Sequence, residues 1–317
     1  MTWSRDKSNL VRMQGASRYS TGLSIVRGTT LSSQYAVIAS GANYPDALSA
    51  AGVAGAYGAP LLLTDAASLR DDLKVQLVEL GVTDAIIVGG RNAVSSVVFE
   101  DLATMGIAVS RISGTDRYAT SAACAERVAQ QTGTVGGAFL VRGDSFPDAL
   151  AVAPFAYTQA MPVLLTNPTT LPDSIEAFIE AYDVSNVYIA GGVSAVSASV
   201  ASQVDELNAG STVVNRIQGN DRYLTARAIA DYGVGEGWGM YGFVGVATGT
   251  NFPDALAGGV ACGKMNGVLL LTKPTALSSA CSAAISANVA TIERVAVFGG
   301  TGAVSSGVYN SIKALLP

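Results

Sequence analysis

Short apolar runs alternate with longer mixed segments along the chain, and the runs end in Gly, Thr or Asp. The pattern is cleanest in the middle third. Val109–Ser113 is short and apolar and predicts a strand, and Asp116 is placed to cap a helix running to about Gln131. Ala138–Arg142 predicts a second strand, and Pro147 suits the first turn of a helix to about Gln159. Val163–Thr166 predicts a third strand, followed by Asp173–Tyr182 with Ile175, Phe178, Ile179 and Tyr182 at helical spacing. A strand at Val187–Ala190 and a helix at Ala195–Leu207 complete four strand–helix pairs. Elsewhere, Leu61–Leu63, Ala85–Val88 and Val295–Phe298 are apolar on both faces, as parallel strands between helix layers are. Ala47–Gly58, Ala149–Ala160 and Ala255–Gly263 are rich in Ala and Gly and almost uncharged. A helix apolar all round must be covered on all sides, so these three are expected to pack both on their own sheets and on neighbouring repeats.

The same landmarks occur three times in the same order. Arg-Ile/Met-x-Gly-x-Asp/Ser-Arg-Tyr-x-Thr occupies Arg12–Thr21, Arg111–Thr120 and Arg216–Thr225; Pro-Asp-Ala-Leu begins at Pro45, Pro147 and Pro253. Leu-Leu-Thr ends at Thr64, Thr166 and Thr272, and Gly-Gly-x-x-Ala-Val-Ser begins at Gly89, Gly191 and Gly299. Arg18, Arg117 and Arg222 step by 99 and 105 residues, a repeat the size of a small domain rather than of a solenoid unit. The boundaries fall at 1–107, 108–213 and 214–317. Strand–helix alternation with right-handed crossovers gives α/β domains with doubly wound parallel sheets. The expectation is three tandem small Rossmann-like or flavodoxin-like domains in a pseudo-threefold arrangement.

Every landmark falls where a strand ends and a helix begins, the edge at which open α/β sheets bind ligands and helix N-termini favour anions. Asp116, Asp221 and Ser17 are N-caps by position. The next residues, Arg18, Arg117 and Arg222, are electrostatically poor at a helix start. They are read either as an anion clamp or as structural partners of Asp46, Asp148 and Asp254 in Pro-Asp-Ala-Leu. Arg12, Arg111 and Arg216 are read as structural ion-pair partners. Tyr19, Tyr118 and Tyr223 read as packing residues before sugar-stacking ones. Gly90, Gly192 and Gly300 belong to tight strand-to-helix turns, and Thr64, Thr166 and Thr272 end buried strands with hydroxyls available to a ligand.

Composition narrows the chemistry. Apolar residues make up 49% and charged residues 14% of 317, yet no apolar run reaches the roughly 20 residues of a spanning helix. Met1–Ser8 is polar and charged, so no signal peptide is visible. The balance of 19 basic against 24 acidic residues, net −5 and without a basic tract, disfavours nucleic acid as a partner. The absence of His removes the usual general base, the Ser-His-Asp triad and most zinc sites. No cofactor or metal is indicated, and the glycines do not form a Gly-x-Gly-x-x-Gly fingerprint. Cys124 and Cys262 read as inert buried thiols; a Cys262–Cys281 bridge is the lesser alternative.

Taken together, the four motifs resemble the cell-wall-binding type 2 repeat of surface proteins from clostridia and other Gram-positive bacteria, in three copies covering nearly the whole chain. The resemblance implies a noncatalytic, extracellular anchor at the cell wall. It implies three Rossmann-like repeats assembled as a pseudo-trimer, and non-covalent attachment to an anionic, teichoic-acid-like wall glycopolymer, with peptidoglycan as a second candidate. It also implies an effector region elsewhere, and only about eight residues precede the first repeat here. Polymer contact is assigned to Arg18, Arg117, Arg222, Tyr118, Tyr223, Thr64, Thr166 and Thr272. Asp46, Asp148, Asp254, Asp116, Asp221, Gly90, Gly192 and Gly300 support them. The chain departs from the family pattern at Ser17 (for Asp) and Val268 (for Pro), so weaker or altered binding is expected in repeats one and three. Competing readings are an α/β enzyme acting on a phosphorylated small molecule and a surface-layer structural component.

Overall fold

The computed structural model describes residues 9–317, and the polar segment Met1–Ser8 discussed above lies outside the described residues. The first repeat contributes β1 (Leu10–Met13), α1 (Arg18–Thr29), β2 (Tyr35–Ser40), α2 (Pro45–Leu48), α3 (Ala50–Ala56), β3 (Leu61–Thr64), α4 (Asp71–Leu80), β4 (Asp84–Val88) and α5 (Ser96–Thr104). The second contributes β5 (Ala108–Ile112), α6 (Arg117–Thr132), β6 (Ala138–Arg142), α7 (Pro147–Thr158), β7 (Val163–Thr166), α8 (Asp173–Ala181), β8 (Asn186–Ala190) and α9 (Ala198–Gly210). The third contributes β9 (Val213–Ile217), α10 (Arg222–Gly235), β10 (Phe243–Thr248), α11 (Pro253–Lys264), β11 (Val268–Thr272), α12 (Ser279–Asn288), β12 (Arg294–Phe298) and α13 (Ser306–Leu315).

These elements build three α/β units, each with a four-stranded, all-parallel sheet flanked by helices. The sheets do not follow the sequence repeats. Their strand orders are β3-β2-β4-β5, β7-β6-β8-β9 and β1-β12-β10-β11. The first strand of each repeat therefore leaves its own repeat and completes the preceding sheet. Ala108–Ile112 pairs with Asp84–Val88, and Val213–Ile217 pairs with Asn186–Ala190. The first strand of the first repeat closes the last sheet, with Leu10 opposite Val295 and Met13 opposite Phe298. The sequence pattern predicts the strand count correctly but assigns each first strand to its own repeat. Nothing in an apolar parallel strand specifies which of two identical edges it will join.

The Ala/Gly-rich helices account for the middle of the molecule. α3, α7 and α11 contact one another, and α6, α10 and α1 pack on them in turn. Their buried faces are nearly complete: Pro147 through Ala156 in α7 and Pro253 through Gly263 in α11 are almost wholly covered. A side chain at Gly55 would run into the Tyr157 main chain of α7, and one at Gly259 would lie 2.7 Å from the Ala153 methyl. The backbones approach that closely because the residues are small. A core of this kind follows from the sequence's surplus of Ala and Gly over large hydrophobes in these helices. Two smaller cores, around Phe178–Ile179 and around Leu73–Leu77, sit under the outer helices of the second and first repeats. Among the described residues no helix is long and apolar enough to cross a membrane.

Two outcomes follow. Gly55→Leu forces an overpacked α3–α7 contact and should cost about 1–3 kcal/mol or more in urea unfolding; an unchanged midpoint would show the contact to be slack. Removing residues 1–14 takes away the burial of Leu10 and Met13, roughly 1.5–3 kcal/mol for each side chain, and leaves an open β12 edge. The truncated chain should unfold earlier and self-associate in sedimentation velocity. Equal stability and an unchanged sedimentation profile would show that β1 is dispensable.

Candidate functional site

In the first two sheets the connections leave in opposite directions from the two middle strands, which places a switch point between them. At the carboxyl ends of β2 and β4, where the connection direction reverses, lies an open groove of about 870 Å³. Its walls come from two repeats. The first supplies Ser40 at the end of β2 with Ala42, Asn43, Pro45 and Asp46 after it, Ala66 after β3, and Gly90 to Ala93 after β4; the second supplies Gly114 to Arg117 and Thr120 after β5. Residues of three of the four landmarks line it (Pro45 and Asp46, Gly90, and Gly114 to Arg117 with Thr120) and Thr64 does not; because β5 is donated, the groove lies between repeats rather than within one.

A fixed set of bonds seats each donated strand. Arg111 Nη1 donates to the Gly89 carbonyl at 2.7 Å and its other terminal nitrogen to Ser95 at 3.3 Å. Arg216 does the same to Gly191 at 2.9 Å and Ser197 at 3.5 Å. Arg12 reaches Gly299 and Val304, both at 2.8 Å. The expected ion pairs of these arginines are therefore replaced by main-chain carbonyls, and burial lowers the pKa of all three side chains. In return the Gly89, Gly191 and Gly299 N–H groups each donate at 2.9 Å to the last residue of the incoming strand: Ile112, Ile217 and Met13. These three glycines sit at φ of +116°, +112° and +102°, which side chains rarely adopt. Their partners Gly90, Gly192 and Gly300 carry the turn onward, and the space above Gly90 is open to the groove.

The N-terminal turn of each following helix is equally regular. Asp116 accepts from Ala119 N–H at 2.8 Å, Asp221 from Tyr223 at 2.9 Å and Leu224 at 2.8 Å, and Ser17 from Ser20 at 3.2 Å with a reciprocal capping box. Thr21, Thr120 and Thr225 accept the Gly15, Gly114 and Gly219 amides at 3.0, 3.1 and 3.0 Å. Arg18, Arg117 and Arg222 turn sideways. Each donates to the glycine carbonyl ending its own repeat's next strand: Gly41 at 2.6 Å, Gly143 at 2.7 Å and Gly249 at 2.6 Å. Tyr19, Tyr118 and Tyr223 lie against those same glycines, where an added side chain would strike the ring. Packing is thus their visible role.

The three arginines also face a carboxylate of the preceding unit without forming an ion pair with it. Arg117 acts on Asp46, Arg222 on Asp148, and Arg18 on Asp254. Each carboxylate faces the left-handed glycine of its own repeat, and burial raises its pKa, to about 6 for Asp148. Opposing the shift, a hydrogen bond from Thr120 stabilises the Asp46 carboxylate. Thr64, Thr166 and Thr272 are fully buried, with hydroxyls donating to carbonyls in the turns that follow. No surface is left on them for a ligand, so their role here is to hold those turns. Cys124, Cys262 and Cys281 are buried and free, and burial pushes their thiols up, so the Cys262–Cys281 bridge is not formed.

One cluster escaped the sequence reasoning. Tyr44, Phe146 and Phe252 immediately precede the three Pro-Asp-Ala-Leu motifs, and their rings meet at centroid distances of 5.5, 5.4 and 6.0 Å. Tyr44 also donates to the Asp144 carbonyl at 2.9 Å, and the Arg18 guanidinium lies 5.6 Å from the Phe252 ring centre. The signal was an aromatic residue at the same offset in every copy.

Fold and site define a class: a tandem α/β repeat protein whose sheets, and the groove at the first of them, are assembled between successive repeats. The chain belongs to the cell wall binding domain 2 family, which it matches over residues 12–99, 111–201 and 216–309. It is 31% identical over 307 residues to the N-acetylmuramoyl-L-alanine amidase LytC of Bacillus subtilis, covering 96% of this chain and 58% of that protein. It is 31% identical over 303 residues to the amidase enhancer of the same organism, covering 95% of this chain and 40% of that protein. Among solved structures, Cwp6 from Clostridium difficile superposes with a TM-score of 0.85 at 25% identity, over 97% of this chain and 48% of that one. Cwp8 from the same organism shares the fold, with a TM-score of 0.83 at 21% identity over 97% and 51%. The chain thus spans about half the length of these proteins. The family is a noncatalytic cell-wall-binding module of extracellular surface proteins.

Asp148 gives the site a pH signature. Ionisation is harder in the folded chain than in the unfolded one, whose carboxylates titrate near about 4. Stability should therefore fall as pH rises from about 4 through about 6, with the penalty complete above that. Asp148→Asn should flatten this slope and gain roughly 2–3 kcal/mol at pH 7, read by urea unfolding across pH. A slope identical to the parent's would show that Asp148 is not its source.

Proposed function

We propose that the chain is a wall anchor that binds an anionic, teichoic-acid-like secondary polymer non-covalently, at three composite grooves on the carboxyl edges of its sheets. The observation that carries this reading is the groove between β2 and β4, which gathers Arg117, the helix N-terminus behind it and the Gly90 turn around one open space. Oxyanions are favoured there by the free amides and the dipole of the helix, and guanidinium geometry suits phosphate or carboxylate. We further read the strand order as flavodoxin-like and the three units as related by a pseudo-threefold axis through the Tyr44–Phe146–Phe252 cluster. Three weak sites on one polymer gain strength through effective concentration. A half-buried aspartate of raised pKa occurs in all three copies, so it does not single out one copy as a catalytic centre. In this reading peptidoglycan is a secondary contact.

Purified Gram-positive walls test the proposal by co-sedimentation before and after hydrofluoric acid strips phosphodiester-linked polymers. Binding should be lost on stripping and weakened by salt. Arg117→Ala should reduce it by about tenfold, the worth of one charged hydrogen bond, whereas Lys74→Ala, on the outer helix α4, should leave it unchanged. Retention on stripped walls would redirect the reading to peptidoglycan, and equal loss from both variants would remove the site assignment.

A further inference from the structure

The three strand-to-helix turns share a frame but differ at the rim. After the glycine pair the first carries Arg91 and Asn92, where the second has Val193 and Ser194 and the third Thr301 and Gly302. Arg91 is exposed and lines the same groove as Arg117. Among the described residues it makes no ion pair and its guanidinium donates no hydrogen bond, and the amides of Arg91 and Asn92 have no acceptor in the protein. The carboxylates nearby are committed elsewhere. Asp116 caps α6, and Asp46 is held by Thr120 against Gly89. The charge of Arg91 instead bears on a second cation, Arg111, which is already fixed to two carbonyls. A guanidinium left uncompensated beside another cation, over a groove with free amide donors, is arranged for an incoming anion.

We propose that the three grooves are unequal, and that the one between the first and second repeats is the principal subsite, where Arg91 and Arg117 clamp one phosphate-type oxyanion. The proposal rests on the polymer-binding reading for its biological ligand but not for its chemistry. The departures of the chain from its family pattern fit the same asymmetry. Ser17 caps α1 just after β1, the strand that completes the third sheet, and Val268 begins β11 of that sheet. Both departures therefore fall in the third unit, while the first groove keeps Asp116 and Arg117 and adds Arg91. An anion seated there fixes one point of a polymer, and the other two grooves then engage at high effective concentration.

The full chain titrated with inorganic phosphate, followed through its arginine Nε–Hε resonances, tests the inequality. The Arg91 signal is identified by its loss in Arg91→Gln. Arg91 and Arg117 should shift together, at phosphate concentrations about tenfold below those that move Arg18 and Arg222. Arg91→Gln should weaken the Arg117 response by about tenfold and leave Arg18 and Arg222 as they were. The same variant should lose about tenfold in affinity for untreated walls, and Val193→Arg should gain a phosphate response at Arg222. Uniform shifts of Arg18, Arg117 and Arg222, unaltered in Arg91→Gln, would overturn the inference whatever the walls do. Walls bound equally by parent and Arg91→Gln would overturn it while leaving the polymer reading intact. Phosphate selecting Arg91 in a chain that ignores walls would support the oxyanion subsite and defeat the polymer reading.

Discussion

Main-chain pairing between β1 and β12 joins the two ends of the chain, and the remaining geometry depends on that closure. A parallel sheet is stable only when both faces are covered and its edges are accounted for. Each repeat brings four strands, keeps three and hands its first to its neighbour, so every unit is incomplete without the one that follows. The helix after the donated strand is carried along with it. For this reason α6 packs on α3, α10 on α7, and α1 on α11. The same transfer brings Arg117, Arg222 and Arg18 towards Asp46, Asp148 and Asp254, and at the first sheet it completes a groove that no single repeat possesses.

Closure of this kind demands a thin centre. Three helices must meet one another while each still lies on its own sheet, and large side chains would hold them apart. The sequence answers with Ala and Gly along α3, α7 and α11, close enough that Gly55 faces the Tyr157 main chain. Dispersion and burial are then collected through close backbone approach rather than through bulky residues. The aromatic residues are displaced to the ends: Tyr44, Phe146 and Phe252 near the grooves, and Trp238 with Phe139, Phe155, Tyr188 and Tyr232 where the second and third repeats meet.

Much of this was legible from residue order. In the second repeat Ala138–Arg142 and Val163–Thr166 are strands at the positions the pattern predicts, and Asp116 caps α6. The α9 helix starts later than its pattern suggests, because Ala195 and Val196 belong to a turn bonded to the Gly192 carbonyl and Ser197 is the cap. What the sequence withheld was partnership. Arg111 looked like half of an ion pair because a buried guanidinium needs acceptors, and the pattern of residue types cannot reveal that main-chain carbonyls supply them. Thr64, Thr166 and Thr272 looked available because a threonine ending a strand is polar, yet the turn that follows folds back over each hydroxyl. Strand exchange was invisible for a similar reason, since β5 fits the edge of either sheet and only the helices attached to it decide.

The half-buried aspartates show where stability has been given up. Asp46, Asp148 and Asp254 lie in the first turn of a helix, where a carboxylate is electrostatically welcome, but burial outweighs that benefit and raises all three pKa values. An asparagine would fill the same space without the desolvation cost. What it would not do is hold a negative charge opposite the arginine that arrives from the next repeat. Each arginine has one terminal nitrogen bound to a glycine carbonyl of its own repeat, while its charge faces the aspartate of the sheet that its repeat's first strand completes. The carboxylate and the carbonyl together keep the guanidinium at the rim instead of letting it extend into solvent. Because the closest Arg–Asp approach stops short of an ion pair, the remaining donors stay unspent. An arginine fully neutralised by its own protein would have little left for an anion; one held at a distance by a reluctant carboxylate is positioned and still available.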